Sequence, residues 1–365
     1  MSLSCWCGEI RLVPYAENYC LCCSCKSLVS SYYAGGSKEH VTEVLADFYD
    51  TRYWQQKMLS IYAGMGISSL DAIISLHYHE RAAYWARAIL KYRQPPASFL
   101  EIGCGMGTLA FLGRQLGFEV CATEMDEEWC RWLKKKFTLP VVTPDTLSEQ
   151  GNRKFDVIAA MDVLEHIADP VMFMKQVVTR LDDDGILVIQ MPNFPYEEAA
   201  DDSGKLASVF KELLLPDEHV FLYSKDAARQ LMRQAGLEYI YHEQALFAGD
   251  QFFMASRKPL KATSSEMLLS EFFAKPDTII PYALLESFTA YSEIVSKWQA
   301  SERASMELNA ACTHLNAVMA EKNAFFTQMQ ESFADLQRSN TALQEKLNRR
   351  SYRLLGKLLS LIGRE

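Results

Sequence analysis

The sequence predicts an α/β protein, and three stretches carry that prediction. Residues 98–109 read as a buried strand (Ser98, Phe99, Leu100, Glu101), a turn with glycine at 103, 105 and 107, and the start of a helix continued by Phe111, Leu112 and Leu116. Residues 118–123 read as a second strand, closing on Glu124. In the run FDVIAA from Phe155, Val157 to Ala160 read as the fourth strand, also buried, and Asp169-Pro170 downstream opens a helix. Strands alternating with helices in this way belong to the α/β class.

The glycine turn is the chemical centre of the pattern. Glycine takes positive φ without strain and has no side chain, so backbone at a helix start can come very close to a ligand. The spacing from Glu101 to Gly107 is E-x-G-x-G-x-G, not the G-x-G-x-x-G of dinucleotide sites. It resembles motif I of the class I S-adenosylmethionine (SAM) methyltransferases, with Cys104 and Met106 in the variable positions.

Composition bounds the remaining readings. A chain of 365 residues suggests two or three units, and 49% apolar residues suffice for a buried core. The net charge of −9 argues against a protein-wide field for nucleic acid, so no nucleic-acid partner is expected. No run of 18 apolar residues predicts a membrane span, and MSLSCWCGEI has neither the basic nor the apolar region of a secretion signal. Ten cysteines in such a chain point to thiols or metal, and the expected location is cytoplasmic.

Residues 1–40 hold six of those cysteines: Cys5, Cys7, Cys20, Cys22, Cys23 and Cys25. Cys5-Trp-Cys7 and Cys22-Cys-Ser-Cys25 are two paired-thiolate turns, enough for one tetrahedral Zn²⁺ held by Cys5, Cys7, Cys22 and Cys25. Cys20 and Cys23 are alternative ligands, and reduced cysteines in a loose terminus are the plainer reading. The arrangement is similar to the zinc-binding module preceding the SAM domain of sugar C-methyltransferases. Four thiolates leave no open coordination position, so such a zinc is structural.

Residues 41–95 read as a helical linker or lid. Val44, Leu45, Phe48 and Tyr49, then Trp54, Met58 and Leu59, recur at helical spacing, and a second helical run covers 70–92. Tyr53, Trp54, His77, Tyr78 and His79 are candidate acceptor contacts, weighed against helix-packing aromatics and surface histidines.

Residues 96–258 carry the ordered motifs. Glu124, 23 positions after Glu101, can accept hydrogen bonds from two ribose hydroxyls, with Asp126 a nearby alternative. Met125 is a candidate for one adenine face. Asp145, after a short strand at 140–143, is a candidate for the adenine amino group. After FDVI come LEHIADP, the helix to Leu181, a turn at Asp182–Gly185, a fifth strand over 186–190 and Pro192-Asn193. This order closely resembles the SAM methyltransferase family that includes ubiquinone-biosynthesis O-methyltransferases. The resemblance implies a Rossmann-like seven-stranded sheet in the order 3-2-1-4-5-7-6, with its last strand antiparallel. It also implies SAM as cofactor near Glu101, Gly103, Cys104, Gly105, Gly107 and Met161.

In such chemistry SAM brings its own leaving group, and the protein aligns acceptor, methyl and sulfur. A hydroxyl acceptor also needs a base, for which histidine suits neutral pH. His166 and His219 are the candidates, each weighed against a role in ordering its loop. No N-P-P-Y or D-P-P-Y tetrad follows the fourth strand, which disfavours amine methylation of a base or glutamine.

A helical connector (259–297) leads to a heptad pattern over 298–347, with Cys312, Met319, Phe326, Phe333, Asn340 and Leu347 at a and Leu308, Leu315, Met329, Leu336 and Leu343 at d. This predicts a coiled coil and a homo-oligomer, against one long helix folded on the body. The basic, leucine-rich end (to residue 365) predicts peripheral contact with an anionic membrane at its inner face. The functional expectation is methyl transfer to a small-molecule, sugar or glycan hydroxyl, with surface-polysaccharide assembly as a setting. Nucleotide-sugar C-methylation and a SAM-binding scaffold are the alternatives.

Overall fold

The computed structural model describes residues 4–32, 38–48, 58–63, 66–149, 151–196, 212–247, 249–275, 278–287 and 337–346, with single positions elsewhere. Tyr53, Trp54, most of the heptad run and the basic C-terminal end lie outside the described residues. The chain divides into two compact units, 1–293 and 294–365. In the second, residues 337–346 are helical, as the heptads predict, and the d-position side chains Met329 and Leu343 are exposed.

The first unit contains the expected sheet. Its strands are β4 (Ser98–Ile102), β5 (Glu119–Thr123), β6 (Val141–Val142), β7 (Phe155–Met161), β8 (Leu181–Pro192), β10 (Tyr239–Glu243) and β11 (Asp250–Ser256). They lie in the order β10-β11-β8-β7-β4-β5-β6, which is 3-2-1-4-5-7-6 when counted along this domain. β4 to β8 pair in parallel, while β11 runs antiparallel to β8 and β10 antiparallel to β11. Apolar runs buried on both faces explain the central strands. Phe99, Val157, Val188 and Met254 face one core cluster, together with Trp85 and Ile89 of the helix Ala83–Leu90. Their neighbours Leu100, Ile158, Leu187 and Phe253 face the other, under the helices Pro170–Arg180 and Lys225–Gln234. Asp169 caps the first of these helices and Ser224 the second, each accepting the third backbone N–H.

Two features differ from the sequence reading. Asp182–Gly185 is not a turn before the fifth strand but the irregular opening of β8: Phe155 pairs with Leu181, and the register then slips so that Val157 faces Ile186. The cysteine-rich segment is not a separate module either. Its strands β1 (Leu12–Ala16), β2 (Tyr19–Cys22) and β3 (Leu28–Ser30) form a sheet whose fourth member is β9 (Phe221–Leu222), from the middle of the methyltransferase-like region. The connector also begins earlier in space than expected. Leu268, Phe272, Tyr282 and Leu285 are buried in the first core cluster.

Candidate active site

β4 ends in the glycine turn, and Gly103, Gly105 and Gly107 all have positive φ (64°, 51° and 70°). A Cβ on Gly103 would lie 2.8 Å from the Val163 side chain, so the position is closed to larger residues on both conformational and steric grounds. Glu124, at the end of β5 and only 4% exposed, holds the turn. Its two oxygens accept N–H groups from Gly105 and Met125, each at 2.8 Å. Asp126 is spent as the N-cap of the helix Glu127–Phe137, accepting from Trp129 N–H. The two carboxylates that the sequence left as alternatives thus have different backbone partners. The Trp129 indole N–H donates back to the Gly105 carbonyl at 2.9 Å.

A cavity of about 370 Å³ opens at this end of the sheet. Of the predicted residues, Glu101, Gly103, Cys104, Gly105, Met161, His166 and His219 line it. Gly107, Glu124, Met125 and Asp145 do not. Gly107 caps the next helix, Met125 is 45% exposed, and Asp145 is exposed in the first turn of Pro144–Glu149.

The floor is acidic. Glu101, Asp162, Glu165, Glu218 and Asp250 line it, with Arg81 the one guanidinium or ammonium among its described lining residues. Arg81 donates to Asp162 at 2.9 Å and lies over the Phe247 ring at 4.9 Å. Asp162, at positive φ (55°), also accepts from Gln190 Nε2, whose amide oxygen accepts from Trp85 at 2.8 Å. Burial pushes the Glu101 carboxyl up to about 8, with the Glu124 charge adding to the shift. Burial, then the Asp162 charge, pushes Asp250 up to about 7. Burial likewise raises Glu165 well above the carboxylate range. One oxygen of Glu101 and one of Glu165 are buried without a hydrogen-bond partner among the described residues. A cationic ligand would satisfy both, and the sulfonium and ammonium of SAM meet that requirement.

The two predicted histidines lie side by side in the lining. The His166 and His219 rings lie 5.1 Å apart between centroids. His166 Nδ1 is 2.8 Å from the Glu218 carbonyl, and His219 Nδ1 is 2.8 Å from the Leu213 carbonyl. A carbonyl only accepts, so each Nδ1 carries the proton and each Nε2 is left as the basic atom. The loop-ordering and chemical readings of these histidines are therefore compatible. Burial lowers the His219 pKa below its ordinary value, so the ring is neutral at pH 7. Ligand atoms of Glu165, His166 and His219 fall within 4.8 Å of one another, a donor set that also fits a divalent cation.

Opposite them stand Met58, Tyr62, His77 and Trp85 from the helical segment. The run over 70–90 contains a π turn at Tyr78–Ala82, which turns His77 and Arg81 to the cavity. His77 bonds the Tyr62 hydroxyl at 2.7 Å, and burial pushes it down to about 4. His77 was read as an acceptor contact, and it lies in the lining. Tyr78 packs on Phe111 instead. The His79 side chain lies outside the described residues. Sequence reasoning did not single out Arg81, Asp162, Glu165 or Asp250 as site residues. Asp162 and Glu165 sit inside the motif that carries His166, which was the available signal.

The four cysteines also converge. The Sγ atoms of Cys5, Cys7, Cys22 and Cys25 lie within 4.8 Å of one another, with Cys5–Cys25 at 3.5 Å and Cys7–Cys22 at 3.6 Å. Zn–S bonds of about 2.3 Å in a tetrahedron place sulfurs about 3.8 Å apart, so the cluster fits that ion. Cys20 and Cys23 are outside the cluster.

Residues 77–242 match the family model of a methyltransferase domain. Ubiquinone biosynthesis O-methyltransferase from Caulobacter sp. (strain K31) is 30% identical over 101 residues, 26% of this chain and 40% of that protein. The enzyme of the same name from Ruegeria pomeroyi is 31% identical over 149 residues, 38% of this chain and 59% of that one. The chain thus spans less than two thirds of these relatives. Among solved structures, magnesium protoporphyrin IX methyltransferase from Synechocystis, with bound SAH, is 15% identical with a TM-score of 0.41, covering 60% of this chain and 100% of that one. By strand order and by family, residues 77–242 are a class I SAM-dependent methyltransferase domain.

Proposed function

We propose that this protein transfers the methyl group of SAM to a hydroxyl of a small polar acceptor, a sugar or a glycan end. The observation that carries this reading is the pair His166 and His219, each with Nδ1 tied to a carbonyl, on the wall of the cavity that the glycine turn opens. SAM supplies an activated methyl on a positively charged sulfur. The chain's own residues do the rest. Glu124 fixes the turn and offers its remaining lone pairs to ribose hydroxyls. Glu101 and its acidic neighbours meet the ligand's positive charge. A hydroxyl brought to the His219 or His166 Nε2 loses its proton there as it attacks. Tyr62, His77 and Trp85 give the acceptor a wall of aromatic and neutral polar groups, which suits a sugar ring better than an anion.

Cys5, Cys7, Cys22 and Cys25 would hold a structural zinc in the same scheme, supported by the spacing of their sulfurs. The C-terminal segment would make the protein an oligomer and draw it to an anionic membrane face. The heptads and the basic, leucine-rich end support that reading.

The test is incubation with methyl-labelled SAM and panels of nucleotide sugars, free sugars and lipid-linked glycans. Label on an oxygen of a sugar supports the proposal. Label on a ring carbon would move the enzyme to C-methylation. SAM binding without turnover on any class, with the histidines replaceable, would leave a binding protein.

A further inference from the structure

The segment carrying His219 is held from two sides. On one side, Val220 N–H donates to the Glu165 carbonyl at 2.8 Å, tying it to the loop of Glu165 and His166. On the other, the cysteine-rich strands grip it. The Tyr19 hydroxyl donates to the His219 carbonyl at 3.0 Å, the Ser30 hydroxyl to the Pro216 carbonyl at 2.7 Å, and Ser30 N–H to the Val220 carbonyl at 2.9 Å. Leu28 and Val29 then pair with Leu222 and Phe221 of β9. Further along, Ser224 donates to the Cys25 carbonyl and the Tyr223 ring lies 6.1 Å from that of Trp6. Tyr19 is only 1% exposed.

These contacts give the N-terminal sheet a role that metal binding alone does not require. The carbonyls of buried His219 and Val220 and of half-buried Pro216 all accept from it, and an unsatisfied buried carbonyl is costly. The sheet cannot hold itself, because its three strands are five, four and three residues long. At the turn between β2 and β3, Cys22 and Cys25 meet Cys5 and Cys7.

We infer that the cysteine-rich sheet is a positioning element for acceptor chemistry. Tyr19 and Ser30 set the place of His219, and the thiolate-held turn sets the place of Tyr19 and Ser30. This rests in part on the four cysteines holding zinc, but the Tyr19 contact stands without it. The glycine turn and Glu124 are built from β4, β5 and the helices after them, which the hydrogen bonds of the brace do not reach, so affinity for S-adenosylhomocysteine should survive its loss.

The experiment uses the full-length protein with three readouts: zinc content, calorimetric affinity for S-adenosylhomocysteine, and local protection. Protection is read by hydrogen exchange over residues 213–224 and by carbethoxylation of His219, both mapped by mass spectrometry. Tyr19→Phe keeps the ring and removes one hydrogen bond. It should raise exchange at 219–222 and His219 labelling about fivefold, as one lost net bond implies, with zinc and cofactor affinity unchanged. Stripping zinc, or Cys22→Ser, should raise both further while residues 98–124 keep their protection. If Tyr19→Phe leaves both local readouts at wild-type values, the inference is overturned. A protein purified without zinc but responding to Tyr19→Phe would remove the metal reading and keep the positioning role. If zinc loss also exposes 98–124, the brace is global, and Tyr19→Phe alone, with Ser30→Ala beside it, decides.

Discussion

Replacing Glu124 by glutamine isolates the contribution of one charge at constant shape. In the folded protein both Glu124 oxygens accept a backbone N–H at 2.8 Å, and the side chain is almost wholly buried. Glutamine keeps one acceptor oxygen and puts an NH₂ where the other was, so Gly105 or Met125 N–H meets a second donor. Hydrogen bonds to a charged group are worth about 1.5–3 kcal/mol, and the orphaned N–H adds to the loss. Affinity should fall roughly 10- to 100-fold at about 1.4 kcal/mol per decade. Glu127→Gln is the control, because Glu127 is exposed in the first turn of the next helix. Calorimetry with S-adenosylhomocysteine reads the affinity, and a thermal melt confirms that the variant is folded. A folded Glu124→Gln protein with wild-type affinity would refute Glu124 as the residue that organises the turn.

Four further outcomes are expected. Glu101 sits near 8 before ligand binds, so at pH 7 it is mostly protonated; SAM binding should release protons, seen as a buffer-dependent enthalpy, and Glu101→Gln should reduce the release. Because burial lowers the His219 pKa, its neutral form persists to lower pH, so the acid limb of turnover should fall below the ordinary histidine value of 6.5, and His219→Ala should cost about 10²–10⁴ in rate with SAM affinity kept. Metal analysis should find about one zinc per chain, lost in Cys22→Ser, whereas Cys20→Ser, outside the sulfur cluster, should retain it. Truncation after residue 293 should leave a SAM-binding monomer that no longer sediments with anionic vesicles, while a cut near 260 should destabilise the protein by removing buried Leu268, Phe272 and Tyr282.

The glycine turn and the acid that holds it were legible because they are local. Strand, glycine turn, helix and the acid on the neighbouring strand all fall between residues 98 and 124, and each is dictated by backbone conformation or by continuous burial. Much of the remaining lining is assembled from distant pieces: Tyr62 and Arg81 from a helical run, Asp162 and Glu165 from a loop, Asp250 from a strand start. No periodicity brings those together. The misread turn at Asp182–Gly185 has a similar cause, since three aspartates and a glycine carry turn chemistry, yet the parallel neighbour Phe155–Met161 draws the backbone into the sheet with a slipped register. β9 is two residues long and invisible to any pattern, although it joins the cysteine strands to the segment that carries His219.

The acidity of the cavity ties its two ends together. Burial raises the Glu101, Glu165 and Asp250 carboxyls, and negative charge nearby adds to each: that of Glu124 on Glu101, and that of Asp162 on Glu165 and Asp250. A ligand with a sulfonium lowers those pKa values, so binding it draws protons out and gathers negative charge around the methyl donor. Transfer removes that positive charge from the sulfur. The carboxylates then take up protons again, and the attraction that favoured the charged ligand weakens for the neutral thioether. The same burial that raises these carboxyls therefore discriminates donor from spent product by charge, with no contact to the methyl group itself. Raising salt should not erase this preference, because screening acts weakly on buried pairs. Equal affinity for SAM and S-adenosylhomocysteine across pH 6 to 9 would remove the argument, and a donor preference that grows as pH rises toward 8 is what it requires.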